Sequence, residues 1–265
     1  PMISGSGIPQ VEGEMMGKLN QVWQRVLPAK FLGGFLSLFA GLSLGREGPS
    51  IQIGAMTGKA VSQTLDRGKT EEKYLITCGA SAGLAAAFHA PLAGVMFSLE
   101  EIHKNFSVSV LISVMTASIT ADYISSQFMG FQPVFQFDVG TEMPPQYYWH
   151  IVILGIILGI MGAFYNKMTM WVQGLYLKSK KLNETTRLFI PFFLAGVLGL
   201  VMPQILGSGH ALIDMAAEGN LMLTSLLILF AAKFLFSLIC FGSGAPGGIF
   251  FPLLVLGALL GGAYS

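Results

Sequence analysis

Glu47 stands between Arg46 and Gly48 in Gly45-Arg46-Glu47-Gly48-Pro49, a glycine- and proline-rich break inside an otherwise apolar run. Pro49 suits the first turn of a helix, where a missing N–H costs nothing. The glycines let backbone N–H groups converge without side chains between them. A helix that begins inside a membrane carries unpaired N–H groups and a partial positive charge at its tip, and such a tip receives an anion. A carboxylate there complements the dipole by about 0.3–1 kcal/mol. An ionisable group within a membrane segment is nevertheless costly, and it marks function. Glu47 can take the anion's place itself and leave it when protonated or displaced, which couples a proton to an anion by competition. An echo of the break, Gly242-Ser243-Gly244-Ala245-Pro246-Gly247-Gly248, opens onto a final apolar run from Ile249.

The chain around these breaks has 265 residues, 53% hydrophobic and 11% charged, with a mean hydropathy of +0.65. Soluble domains carry about 25% charged residues, so the composition is that of an integral membrane protein. A net charge of +1 without a basic tract gives no reason to expect nucleic acid. Cys78 and Cys240 lie in apolar segments and read as small packing residues. The 33 glycines fit close helix packing and interrupted helices. An opening at Pro1 and a close at Ser265 inside apolar sequence are read as a fragment of a longer protein, truncated at both ends.

Reading along the chain, Gly5-Ser6-Gly7-Ile8-Pro9 is a first break, followed by a short segment ending near Gly17. Helices are predicted over 22–44, 50–65, 74–88, 107–128, 149–177, 188–206 and 221–241, with a mixed-charge loop at 66–73. Residues 92–101 are too few to span, since about 20 are needed, whereas 149–177 must tilt or project. Lys178, Lys180, Lys181 and Arg187 cluster in one loop, and no Lys or Arg occurs from 105 to 166. The positive-inside rule makes that loop cytoplasmic, puts 129–148 outside, and puts Glu100, Glu101 and Lys104 inside. Lys30 and Lys233 are lone cations in apolar segments, where a lysine can snorkel, and Lys30, in the segment before Gly45, can instead raise the potential along an anion path.

An internal repeat is visible. Gly-Ser-Gly recurs at 5–7 and 207–209, and Gly-x-x-x-Pro at 45–49 and 242–246. Paired broken segments in two halves are the mark of a repeat-built transporter with a site at the midplane. The expected organisation is most of a first repeat over 1–128, an external linker over 129–148, and a second repeat over 149–265.

Two other patterns point elsewhere. Gly79-Ala80-Ser81-Ala82-Gly83 fits the G-x-S-x-G nucleophile elbow, which needs a strand–turn–helix context. Here it falls in an Ala-rich helix, and Gly79 and Gly83 also form a close-packing G-x-x-x-G pair. A membrane serine hydrolase using Ser81 is the remote alternative. Glu100 and His103 give a single Glu-x-x-His where a di-iron bundle needs two. His89, His150 and His210 have no partners at ligand spacing, so no metal or cofactor is expected.

The three breaks resemble those of the CLC family of chloride channels and proton-coupled chloride transporters, and so do Leu27-Pro28-Ala29-Lys30-Phe31 and residues 79–99, GASAGLAAAFHAPLAGVMFSL. The resemblance implies an all-α membrane fold, an inverted repeat of tilted and partly non-spanning helices, assembled as a homodimer with one pathway per subunit. It makes Glu47 the external gate and proton acceptor, and Glu101 the internal proton-transfer residue that pure channels of the family tend to lack. By itself Ser6 reads as a turn or cap residue. The resemblance makes it the inner anion ligand, alongside Arg46, Gly48, Gly248, Ile249 and Phe250, several of them through backbone N–H groups. A neutral donor such as Ser6 suits an ion that must leave as readily as it arrives. The family's pathway tyrosine falls beyond this sequence, and Tyr264 is not at that motif. The implied function is exchange of chloride for protons across a bacterial-type membrane, with a passive chloride channel as the alternative.

Overall fold

Among the residues described by the computed structural model (2–131, 134, 144–179, 183–217 and 221–264), every run of regular structure is helical and there is no strand. Residues 132, 133 and 135–143 of the expected linker, and Lys180 and Lys181 of the basic loop, lie outside the described residues. In chain order the helices are α1 (Ile8–Met15), α2 (Trp23–Phe39), α3 (Glu47–Thr64), α4 (Lys69–Phe88), α5 (Pro91–Phe97), a π-helical segment (Ser98–His103), α6 (Val108–Met129), α7 (Tyr148–Lys178), α8 (Glu184–Val201), α9 (His210–Ala217), α10 (Leu223–Gly242) and α11 (Phe250–Tyr264). Among the described residues, three stretches are long and apolar enough to cross a membrane: α6, Pro145–Lys178, which contains α7, and α10. The 31 residues of α7 rise roughly 46 Å, more than the hydrocarbon core of about 30 Å.

Two compact units divide the chain. The first holds Pro1–Leu36, Arg46–Phe135 and Pro246–Gly248; the second holds Ser37–Gly45, Gln136–Ala245 and Ile249–Ser265. In the first, α3 and α4 lie backbone against backbone. A Cβ on Gly54 would run into the carbonyl of Gly79, one on Gly79 into that of Gly54, and one on Gly83 into that of Ser50. Close approach of this kind is what small residues in membrane helices permit. Val11, Ile51, Ala55, Met56, Ile76 and Ala80 fill the core beside that crossing. Ser81 is buried in mid-α4, its Oγ 2.5 Å from that of Ser118 on α6. It therefore joins two helices, and the strand before a nucleophile elbow is missing. In the second unit, Tyr165, Phe234, Leu238 and Leu256 form a cluster from α7, α10 and α11. The Tyr165 hydroxyl donates to Ser237 Oγ at 3.1 Å.

Each unit contains the same local device. Gly5 and Gly7 have φ of +65° and +91°, and Gly207 and Gly209 have +64° and +89°. Each pair opens an eight-residue helix, α1 or α9. A buried lysine from the next long helix then binds the break. Lys30 Nζ donates to the carbonyls of Ile3 (3.0 Å) and Gly5 (2.7 Å), and Lys233 Nζ to those of Ile205 (2.8 Å) and Gly207 (2.7 Å). Neither lysine snorkels.

Three expectations need correction. Pro49 is the third residue of α3, and its structural counterpart is Pro252, third in α11, whereas Pro246 precedes α11. The similar spacing of Gly45–Pro49 and Gly242–Pro246 thus had the wrong register. Residues 69–73 are helical, because Gly68 ends the turn and Glu71 and Glu72 complement the start of α4. Residues 210–217, left without an element by the sequence reading, form α9.

Candidate functional site

Ser6, Glu47, Gly48 and Gly248 all belong to the first unit, and there they meet. A Cβ on Gly48 would lie 2.6 Å from the carbonyl oxygen of Ser6, so the start of α3 sits directly on the first break. A Cβ on Gly248 would run into the carboxyl group of Glu47, so that carboxyl fills the space this glycine leaves empty. The third break is tied to the first by Gly247 N–H, which donates to the Gly5 carbonyl at 3.0 Å. Three glycine-marked breaks from distant parts of the sequence therefore converge.

Glu47 is the first residue of α3 and only 4% exposed. Its charge lies at the positive end of the helix dipole, the position where a carboxylate is best tolerated. Arg46, at the N-cap, is exposed and supplies no capping side-chain bond. The Ser6 hydroxyl accepts Ile8 N–H at 3.3 Å, the turn role expected of an isolated serine. That bond uses an acceptor site and leaves the hydroxyl hydrogen to donate. Ile249 and Phe250 belong to the second unit, where Ile249 precedes α11 and Phe250 begins it; the Ile249 carbonyl accepts Leu253 N–H at 3.1 Å, and the Phe250 side chain is half exposed.

Glu100 and Glu101 sit on the π-helical segment, both exposed. Its wider turn is marked by Lys104 N–H bonding to the carbonyl of Leu99, five residues back. Such segments are rare and concentrate at functional sites. The surprise is Glu12 on α1, which the sequence reading passed over. Burial first, and then a hydrogen bond with the Glu101 side chain, hold its carboxyl above the ordinary value of 4.5. Lys104, 3.6 Å from Glu12 Oε1, works the other way. A carboxyl held in this way keeps its proton more readily than a free one. No local motif marks Glu12; only its neighbours in the folded unit do.

A family model described as voltage gated chloride channel matches residues 1–265. Among similar proteins are the H(+)/Cl(−) exchange transporter ClcA of Cronobacter sakazakii, 38% identical over 271 residues covering all of this chain and 58% of that protein, and ClcA of Salmonella agona, 39% identical over 272 residues covering 100% and 57%. This chain thus spans little more than half of these relatives. A crystal structure of a slow cyanobacterial Cl−/H+ antiporter superposes with a TM-score of 0.93 at 37% identity, over 99% of this chain and 62% of that one. A CLC-type fluoride/proton antiporter shares the fold, with a TM-score of 0.80 at 22% identity over 97% of this chain and 64% of that one. With the family match running from end to end of the sequence, this integral membrane chain belongs to the voltage-gated chloride channel family.

Proposed function

We propose that this chain is the core of a proton-coupled chloride antiporter, acting in a bacterial cell membrane as part of a homodimer. The observation that carries the reading is the seating of the Glu47 carboxyl against Gly248, beside the junction of Ser6 with Gly48. A carboxylate held at a helix start is a resident anion, and chloride is its natural competitor. Protonated, Glu47 loses its attraction to the dipole and yields the place; ionised, it returns and closes it. Ser6 donates a neutral hydrogen bond from the inner side. Gly48, Gly248, Ile249 and Phe250 offer backbone N–H groups, and Arg46 adds positive potential. Glu101, paired with Glu12, passes protons from the cytoplasmic face. The names of the ClcA relatives support exchange over passive conduction.

Flux measurements on the complete polypeptide in liposomes test this. A chloride gradient should drive protons uphill, and Glu101→Gln should stop proton movement while chloride still moves. Chloride flux with no uphill proton movement in the wild type would exclude antiport and leave the passive channel.

A further inference from the structure

Lys30 is fully buried, and its two hydrogen bonds go to the stretch that leads into Ser6. One acceptor, the Gly5 carbonyl, also takes Gly247 N–H at 3.0 Å. A carbonyl oxygen has two lone pairs, so Gly5 is saturated by one donor from α2 and one from the third break. Gly5 is held at φ +65°, and the next residue is Ser6, which lies on Gly48. Lysine, carbonyl and glycine N–H thus form one chain of bonds linking the first break to the third.

We infer that Lys30 is a positioning residue of the anion site: it fixes the Gly5 carbonyl as the acceptor for Gly247 N–H, and so sets Ser6 and Gly248 at their working distance. It also engages a carbonyl oxygen whose dipole, if released, would repel an anion nearby. This rests on the reading of Ser6 and Glu47 as an anion site.

The second unit supplies a matched control. Lys233 is equally buried and binds two carbonyls of the equivalent break, at 2.8 and 2.7 Å. The helix start that corresponds to Glu47 in that repeat carries Phe250 instead. Loss of Lys233 therefore removes the same number of bonds in the same kind of setting, but at the break of the second unit, which does not contain Ser6.

Calorimetric titration of chloride into the complete, purified protein tests the inference, with thermal unfolding measured in parallel. Lys30→Met should weaken chloride binding about tenfold, as expected for loss of hydrogen bonds that order a site. Lys30→Arg, which keeps donors in reach, should recover part of that loss. Lys233→Met should lower the unfolding temperature about as much as Lys30→Met and leave chloride affinity within about twofold. Chloride affinity unchanged in Lys30→Met while Ser6→Ala weakens it would overturn the proposal, and so would an equal loss in Lys233→Met. If Lys30→Met does not fold, Lys30→Gln carries the test. It keeps one shorter donor, and wild-type affinity in that variant equally overturns the proposal. A wild type that binds no chloride, or is indifferent to Ser6→Ala, defeats the underlying reading and the inference with it.

Discussion

The carboxyl group of Glu47 and the missing side chain of Gly248 define one small space between them. Gly248→Ala puts a methyl group there, and overpacking of that kind costs about 1–3 kcal/mol, a bias of roughly fivefold to 150-fold against the seated carboxyl. Chloride flux in Gly248→Ala should depend less steeply on external pH than in the wild type, as it should in Glu47→Gln; liposome flux across a pH series measures this. Glu12 gives a second prediction. Its folded pKa is raised, so the stability tied to its protonated form is full below the ordinary value of 4.5 and is lost as pH rises through the folded value. Glu12→Gln is uncharged throughout, so its unfolding temperature relative to the wild type should increase as pH climbs from about 4.5 toward neutrality. A constant difference would remove the shift from the account. Glu47 stands out in the sequence as an ionisable group at a break in an apolar run, whereas Ser6 reads alone as a turn residue and is singled out only by the family resemblance. Glu12 was not legible, because its meaning comes from Glu101 and Lys104, far along the chain.

At the level of elements, glycine is read correctly only when its neighbour is known. Gly79→Ala drives a Cβ into the backbone of α3 and should destabilise the first unit by about 1–3 kcal/mol, seen as a lower unfolding temperature in detergent. Gly155 on α7 has nothing within 4 Å of its would-be Cβ, so Gly155→Ala should leave stability unchanged or slightly raised. Gly155 and Gly159 form G-x-x-x-G as Gly79 and Gly83 do, so the same sequence pattern predicts opposite outcomes in two helices. The long helices were visible in the sequence because an apolar stretch of membrane length has few alternatives. The start of α4 was not, since charge at 69–73 reads as solvated loop, while Lys69 bonds Glu72 at 3.0 Å within the first helical turn. The π-helical turn beneath Glu101 has no compositional mark at all. By contrast α9 could have been found: the Gly-Ser-Gly echo at 207–209 called for a short helix wherever α1 follows 5–7.

At the scale of the whole molecule, the charge pattern predicts which face each acid meets. The repeat is carried by backbone angles at Gly5, Gly7, Gly207 and Gly209 and by two buried lysines, whereas side chains at matching places differ, as Glu47 and Phe250 do. Sequence comparison alone misjudged the register for that reason. Orientation rests on the basic loop after α7 and on the absence of Lys and Arg from 105 to 166. Since α6 separates Glu101 from the start of α7, and α7 separates that start from the basic loop, one measurement settles the side of each. Cys78 and Cys240 are free thiols, so the background for it is Cys78→Ser with Cys240→Ala. In that background an impermeant maleimide should label Tyr147→Cys in intact cells, and Lys178→Cys only after the membrane is opened; both positions are exposed. The reverse pattern would put Glu101 on the outer face, where it could not deliver protons from the cytoplasm. Labelling of both from outside would mean that α7 does not cross, and the count that places Glu101 inside would fail with it.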